Sequence, residues 1–489
     1  MSESLLDSAP DPEPVVTGPP SDMKSQAFRG AALLSFRQVL VGVVTVVGIV
    51  ALPLLLGPAE FAMYGYVNTA MLVGAALGDL GLGAYIIKNR VSDRDLSGSL
   101  ALQLAFWLPI SILLLLLATT VNPFGFSMLS ASLLVLCVML FSLQALPTAL
   151  LEKNLRFRTI SVIEVTQRVI LVTGAVLLAV FQPAQWTIPL AAAAAALVGY
   201  PLILRATRWR WRPKFAKGEP LFRGFSSEWW QVRIANQAAY AAYPLLGGLL
   251  FSAHDVGLII WALAITSIPA YLAPMVSRAI FPTLSKATPE DRITIYSNLF
   301  RGLLLLGVPM VAALFVAADP FTEYIFGSEW TDGIPLLRLE SLTTVIGIAS
   351  MSLVPLLFIS CRPAFIKWTC VGMAVSVVVL SLALSPLLSF LSISVATLIS
   401  SSVLLVIFDR GLRREISYSP LKDMLPALTG LAAGIACGLP VVMALDSVAG
   451  ALLGAAVAAG VQLGVTILLK GGVDIRGAVA RLRAGAAAA

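Results

Sequence analysis

The amino-acid sequence predicts an all-α polytopic membrane protein of about fourteen transmembrane helices, in which two pseudo-symmetric six-helix bundles precede two C-terminal helices. Of its 489 residues, 58% are hydrophobic and only 12% are charged, whereas about a quarter of the residues of a soluble protein are charged. Apolar runs of about twenty residues, long enough to cross the hydrocarbon core of a bilayer, recur along the chain. Basic connections alternate with connections that contain no Lys or Arg, as expected for loops on opposite sides of a membrane.

The predicted spans follow one another between short connections. They cover residues 31–55, 62–87, 98–119, 126–150, 159–181, 186–205, 225–251, 257–280, 295–318, 334–359, 364–385, 388–408, 423–444 and 447–469. The longest internal connection is basic and aromatic and separates the first six spans from the next six. The predicted domains are a disordered cytoplasmic tail (1–27), a first bundle (28–205), this basic linker (206–224), a second bundle (225–408), a basic loop (409–422), two extra helices (423–470) and a cytoplasmic tail (471–489).

A weak internal repeat supports the division into two bundles. The segment that enters the second span aligns with the segment that enters the eighth, with Gly57 opposite Ser252 and Glu60 opposite Asp255. The same offset places Gln38 opposite Arg233. Internal duplication is common among transporter folds.

The distribution of charge predicts the orientation of the chain. Positively charged connections stay in the cytoplasm, which places both termini there. The N-terminal segment is acidic and proline-rich, which indicates disorder rather than a cleavable signal. The net charge of +7 comes from the basic loops, so it favours contact with anionic membrane lipids over nucleic acid.

Composition argues against an enzyme, a metal site and a cofactor. The four cysteines lie within or at the ends of apolar segments without metal-ligand spacing, and the single histidine is His254 in a short outer loop. The longest outer connection, 319–333, contains four carboxylates but no histidine. A membrane glycosyltransferase or polymerase, which needs an extramembrane segment with catalytic groups, is therefore a less favoured alternative. A carrier of the major facilitator type is disfavoured because NRVSDRDL lacks the glycine pattern expected after its second span.

Three stretches resemble one known family. They are LGPAEFAMYGYVNTAMLVGAALGDLGLGAYIIKNR, LPTALLEKNLRFRTISVIEVTQRV, and the pattern from VGLIIWALAITSIPAYLAPMVSRAIFPTLSK to FGSEWTDGIPLLRLES. They resemble Wzx-type flippases of the multidrug/oligosaccharidyl-lipid/polysaccharide (MOP) superfamily. The resemblance implies two six-helix bundles that face a central cavity in the bacterial cytoplasmic membrane. The implied activity is transfer of an undecaprenyl-diphosphate-linked saccharide from the inner to the outer leaflet, in possible association with a polysaccharide polymerase.

Arginines within the predicted spans are the first candidates for substrate binding. Arg37, Arg168 and Arg233 lie in the inner halves of the first, fifth and seventh spans. Charged groups within the hydrocarbon are costly and mark functional sites by default, and guanidinium groups bind phosphate with two parallel hydrogen bonds. Snorkelling of the side chain to the interface is the alternative interpretation, and Glu164, four residues before Arg168, offers a structural ion pair.

Neighbouring polar residues complete the predicted site. The candidates for hydrogen bonds to sugar hydroxyls are Gln38, Asn68, Gln167, Asn236 and Gln237, with bonding between helices as the alternative role. The candidates for ion coupling are Asp79, Glu164 and Glu228. Arg338 and Glu340 are expected to stabilise the outer end of the tenth span. A drug or cation antiporter of the same superfamily remains the nearer alternative, and it would favour an acidic cavity.

Overall fold

The computed structural model describes residues 39–83, 86, 92–120, 122, 124–154, 156–207, 225–271, 288–445 and 447–469. Helices numbered in chain order account for most of them, and the side on which the basic connections lie is called inner. The first bundle contains α1 (Val39–Leu55), α2 (Pro58–Asp79), α3 (Asp93–Thr120), α4 (Met128–Lys153), α5 (Phe157–Phe181) and α6 (Thr187–Thr207).

The second bundle and the C-terminal pair repeat the same up-and-down course. They contain α7 (Phe225–Leu250), α8 (Ala253–Thr266), α9 (Pro289–Val316), α10 (Ile334–Ser360), α11 (Pro363–Leu388), α12 (Leu391–Ile416), α13 (Pro420–Leu445) and α14 (Val448–Leu468). Eleven described helices are long and apolar enough to cross a membrane, while α1 and α8 are shorter apolar helices. The predicted fold class is confirmed.

Short polar segments begin the helices. Ser252 and Asp255 form a reciprocal capping box at the start of α8, and proline stands in the first turn of α2, where its missing N–H costs nothing. Gly57 precedes α2 as Ser252 precedes α8. Gly57 and Ser252, which the internal repeat pairs, therefore occupy equivalent positions in the two bundles.

A continuous apolar core joins the two bundles on the outer side. Phe61 on α2, Trp261 on α8 and Trp330 in the 3-10 turn before α10 are all fully buried. The Trp330 ring centroid lies 5.8 Å from that of Phe61 and 5.3 Å from that of Trp261. A Cβ at Gly257 would stand 1.7 Å from the Pro58 carbonyl oxygen, so α2 and α8 touch through their backbones. We call this region the outer junction.

The C-terminal pair is attached to the second bundle through α9. Glycines of α13, including Gly430 and Gly434, pack directly against the backbone of α14, as small residues do in membrane helix pairs. At the inner end the Asp423 carboxylate accepts hydrogen bonds from Ser297 Oγ (2.5 Å), Arg301 Nη2 (2.6 Å) and the Tyr418 hydroxyl (2.8 Å). Ser297 and Arg301 belong to α9, so this carboxylate fixes the pair to the bundle.

Helix α12 continues about two turns past the predicted end of its span. The buried Asp409 carboxylate accepts from Ser419 Oγ (2.7 Å) and the Leu421 backbone N–H (3.2 Å), and Arg413 Nε lies 2.7 Å from it. These bonds hold the turn that leads into α13. The segment predicted as a basic loop, 409–422, is therefore mostly helical where α12 and α13 meet.

Candidate functional site

The inner half of the first bundle encloses a polar cavity of about 510 Å³, here called the inner cavity. Its walls come from α2, the lower part of α4, the first turns of α5 and the end of α6. Its polar lining comprises Asp79, Gln144, Thr148, Glu152, Glu164 and Gln167. The structure thus brings together three of the predicted site residues, Asp79, Glu164 and Gln167. Glu152 and Gln144 were not predicted.

A smaller cavity of about 150 Å³ lies beside the inner cavity. Arg168 lines it together with Glu164 and Gln167, which line both cavities, and Val41 of α1 closes one side. Arg168 lies eleven residues after Phe157, where α5 begins, which corresponds to about 16 Å along the helix. Arg168 is therefore held within the membrane-spanning part of the chain, next to the carboxylate predicted to pair with it.

A break in α4 turns an amide toward the cavities. The regular helix is interrupted at Gln144, and Gln167 Nε2 donates to Gln144 Oε1 over 3.0 Å. The Gln144 Nε2 group is buried without a hydrogen-bond partner. A buried donor without a partner is costly, and this one stands in the wall of the inner cavity.

Gly199 explains why Gln167 fits at this point. A Cβ at Gly199 on α6 would lie 1.9 Å from Gln167 Nε2. The absence of a side chain on α6 therefore creates the space that the amide of α5 occupies. Of the predicted sugar-binding residues whose side chains the structure describes, Gln167 is the most buried.

Asp79 ends α2 and shapes the turn that follows. Its Oδ1 accepts a hydrogen bond from the Gly83 backbone N–H over 2.9 Å. Leu80 and Gly81 have left-handed backbone conformations, with φ values of 50° and 70°. A carboxylate or an amide oxygen can accept this bond, so the turn itself requires the oxygen but not the charge.

A second polar group surrounds Tyr64 on α2. Its hydroxyl lies close to the Asn68 side chain, one turn further along the helix, and within electrostatic range of Arg168 and of Tyr271, which follows α8. Tyr64, Asn68 and Arg168 belong to the first bundle, whereas Tyr271 belongs to the second. This Tyr64 cluster therefore lies where the two bundles face each other, and it connects Asn68 with Arg168.

The remaining predicted residues are distributed differently. Arg37 and Gln38 lie outside the described residues. Glu228, Arg233 and Asn236 lie on α7, but their side chains are outside the described part of the chain. Gln237, also on α7, lines an apolar groove between the bundles and does not line the inner cavity.

Glu340 is a buried carboxylate that sequence reasoning assigned to the outer entrance. It is fully buried within the second bundle, and Tyr243 on α7 donates a hydrogen bond to its Oε2 over 3.3 Å. By contrast, Arg338 pairs with Asp319 at the outer end, as expected. They are two positions apart on α10, so they point to different sides. The sequence carries no signal of which side faces the core.

The described residues contain no group of three or more His, Cys, Asp or Glu side chains arranged to hold a metal ion. The carboxylates and amides of the inner cavity are suited to hydrogen bonds and to proton or cation contacts. The guanidinium group of Arg168 is suited to an anion.

Comparison with known proteins places this geometry in a family. Residues 51–335 match the family model described as "Polysaccharide biosynthesis protein". The chain belongs to this family. It is also 25% identical over 292 residues to the teichuronic acid biosynthesis protein TuaB of Bacillus subtilis (strain 168). That match covers 55% of this chain and 58% of TuaB, so the chain matches little more than half of the relative's length.

Solved transporter structures share the fold. A structure of the Lipid II flippase MurJ in an inward closed conformation superposes with a TM-score of 0.68 and 12% identity, covering 92% of this chain and 98% of that chain. An inward-facing multidrug resistance MATE family transporter of the MOP superfamily superposes with a TM-score of 0.56 and 15% identity, covering 78% and 94%. At these identities the superpositions show a shared fold.

Proposed function

We propose that this protein is a flippase that moves a lipid-diphosphate-linked oligosaccharide from the inner to the outer leaflet of a bacterial cytoplasmic membrane. The two bundles would rock between arrangements open to either side, with both termini in the cytoplasm. Membership in a polysaccharide biosynthesis family and the fold shared with a lipid II flippase support this proposal.

The observation that carries the proposal is the position of Arg168. Its guanidinium group lies beside a polar cavity in the inner half of the first bundle and close to the Tyr64 cluster. An anionic diphosphate needs a compensating charge before it leaves the headgroup region, because an unpaired charge in a low-dielectric medium is strongly destabilised. Arg168, with Arg37 and Arg233 as further candidates, would bind the diphosphate, and Gln167 and Asn68 would bind sugar hydroxyls.

A drug or cation antiporter is the second candidate, and the lining of the inner cavity favours it. Asp79, Glu152 and Glu164 supply three carboxylates to one cavity, and such a lining attracts a cation. The two functions differ in the residue on which substrate binding depends. A lipid diphosphate requires Arg168, whereas a cationic substrate requires the carboxylates.

Transport in reconstituted proteoliposomes tests this choice. We expect protein with Arg168→Ala to move a fluorescent undecaprenyl-diphosphate saccharide at least about tenfold more slowly, because a charge-assisted contact with phosphate contributes about 1.5–3 kcal/mol. The matched control is Arg158→Ala, since Arg158 is an exposed residue at the inner end of the same helix. It should transport at the wild-type rate.

The same vesicles distinguish the two functions. Unchanged flipping by protein with Arg168→Ala, with normal insertion, would contradict the proposed site. Uptake of a lipophilic cation that is abolished by Glu164→Gln but insensitive to Arg168→Ala would establish the antiporter instead.

We infer that Asp79 and Glu164 couple transport to an ion, with Glu228 as a further candidate. Asp79→Asn is the sharper variant, because an amide oxygen can still accept from the Gly83 N–H while the charge is lost. Coupling by Asp79 predicts that this variant flips at a rate independent of an imposed proton or sodium gradient. A wild-type response of this variant to both gradients would contradict a coupling role for Asp79.

A further inference from the structure

An apolar groove of about 490 Å³ runs along the seam between the two bundles. Val73, Ala76 and Leu77 of α2 form one wall. The other wall comes from α7 and α11, with Val375 and Val379 each 56% exposed at its rim. The groove is therefore open sideways toward the membrane, and we call it the seam groove. Gln237 is the one polar residue among the described residues that line it.

The inner end of the seam groove carries a cationic group. Trp230 Nε1 donates to the Leu77 carbonyl oxygen over 3.2 Å, which ties α7 to α2 at this level. The next residue of α7, Gln231, accepts a hydrogen bond from Lys367 Nζ on α11 over 3.1 Å. Lys367 Nζ also lies 5.0 Å from the ring centroid of Trp368, which is 66% exposed. Tryptophan and lysine together are typical of the headgroup level of a membrane.

The length of the seam groove matches one acyl chain. Its lining on α7 extends from Ile234 to Leu246, twelve residues that rise about 18 Å. One leaflet contributes about 15 Å of hydrocarbon. A polyprenyl chain is much longer than this and would leave most of its length outside.

We propose that the seam groove binds an anionic phospholipid of the inner leaflet, with one acyl chain between α2, α7 and α11 and the phosphate at Lys367. Apolar burial holds the chain, and a basic residue between helices on the cytoplasmic side selects an anionic headgroup. Because the walls belong to different bundles, rocking changes the width of the groove. A bound chain stabilises the arrangement that fits it. This lipid is a regulator, distinct from the cargo, and the proposal does not depend on what the protein transports.

Native mass spectrometry of the purified full-length protein tests the proposal, with phosphatidylglycerol and phosphatidylcholine of identical chains as probes. We expect one phosphatidylglycerol to be retained more tightly than phosphatidylcholine. Lys367→Gln should weaken phosphatidylglycerol binding about fivefold and leave phosphatidylcholine unchanged. The matched control is Lys422→Gln, because Lys422 is an exposed lysine at the inner end of α13, away from the groove.

The chain site is tested by filling the groove. Val379→Trp should weaken binding of both lipids, whereas Val162→Trp on the exposed face of α5 should change neither. If Val379→Trp lowers the helix content measured by circular dichroism, Ala374→Leu replaces it in the test, because it fills the same space with a smaller change.

Three results would overturn the proposal. The first is equal retention of the two lipids by the wild-type protein. The second is equal behaviour of the groove variants and their controls. The third is displacement of phosphatidylglycerol by equimolar undecaprenyl phosphate, which would assign the groove to a polyprenyl carrier.

Discussion

The outer and inner regions of the molecule differ in the chemistry of their buried side chains. At the outer junction the bundles meet through buried aromatic rings and a backbone contact between Gly257 and Pro58. In the inner half, the first bundle holds cavities lined by carboxylates, amides and Arg168. Apolar packing can part and re-form without leaving a buried charge unpaired, whereas the polar lining needs a ligand or water. Under the proposed function, the outer region would act as a seal and the inner region as the substrate-binding site.

Truncating Trp330, at the centre of the outer junction, is expected to have the largest effect on the free energy of unfolding. Trp330 is fully buried between α2 and α8, so Trp330→Ala should lower the free energy of unfolding by about 3–5 kcal/mol. Trp368, which is 66% exposed, provides the control, and Trp368→Ala should cost far less. Titration with a denaturing detergent in mixed micelles measures both. Equal losses would mean that the aromatic cluster does not hold the junction.

Removing a polar anchor on the inner side should have a smaller effect. Asp423→Ala takes the acceptor away from Ser297, Arg301 and Tyr418 and should cost about 2–3 kcal/mol. Asp319→Ala removes the carboxylate of an exposed outer pair and should cost less than about 1 kcal/mol. The same unfolding titration compares them. A larger loss for Asp319→Ala would reverse the contrast between a polar inner side and an apolar outer one.

Separating α2 from α8 tests the seal without removing an aromatic ring. Gly257→Ala forces the backbones apart, and we expect it to cost about 1–3 kcal/mol. It should also increase labelling, from the outer side, of a cysteine introduced at Leu258. Gly460→Ala is the control, because no atom lies within 4 Å of the added Cβ. Unchanged labelling would show that the contact does not limit opening.

The smallest expected effect concerns the hydrogen bond of the inner cavity. Gln167→Leu loses the bond to Gln144 and should cost about 0.6–1 kcal/mol, the usual value for such bonds in membranes. Thr166→Val loses only a bond within its own helix and should be close to neutral. A cost for Gln167→Leu above that of Trp330→Ala would indicate that polar contacts, rather than aromatic packing, dominate stability.

Hydropathy and charge predicted most of the fold but little of the arrangement of the site. Span positions follow from the thickness of the bilayer, so the helices occur near their predicted places. The depth of Arg168 also follows from counting residues along a helix. Rotation about the helix axis does not, because lipid-facing and core-facing surfaces are both apolar and the pattern lacks a polar side. For this reason the sequence did not indicate that Gln237 faces the seam groove or that Glu340 lies in the core.

The surroundings of Gln144 could not be predicted for a related reason. The break itself lies three residues before Pro147, where a proline is expected to interrupt a helix, but the Gln144 amide is bonded by Gln167 of α5, which occupies the space that Gly199 leaves on α6. Each of these residues is ordinary in its local sequence. The Gln144 amide is buried beside the inner cavity because these residues pack against one another.

The bonds of Asp423 also constrain the order in which the protein is assembled. Ser297 and Arg301 are inserted with α9, before α13 is synthesised, so their hydrogen-bond acceptor is not yet present. Insertion of the last helical hairpin delivers that carboxylate together with the Tyr418 hydroxyl. A chain that ends before Pro420 therefore lacks the carboxylate that Ser297 and Arg301 bond, and its α9 has no C-terminal pair to pack against.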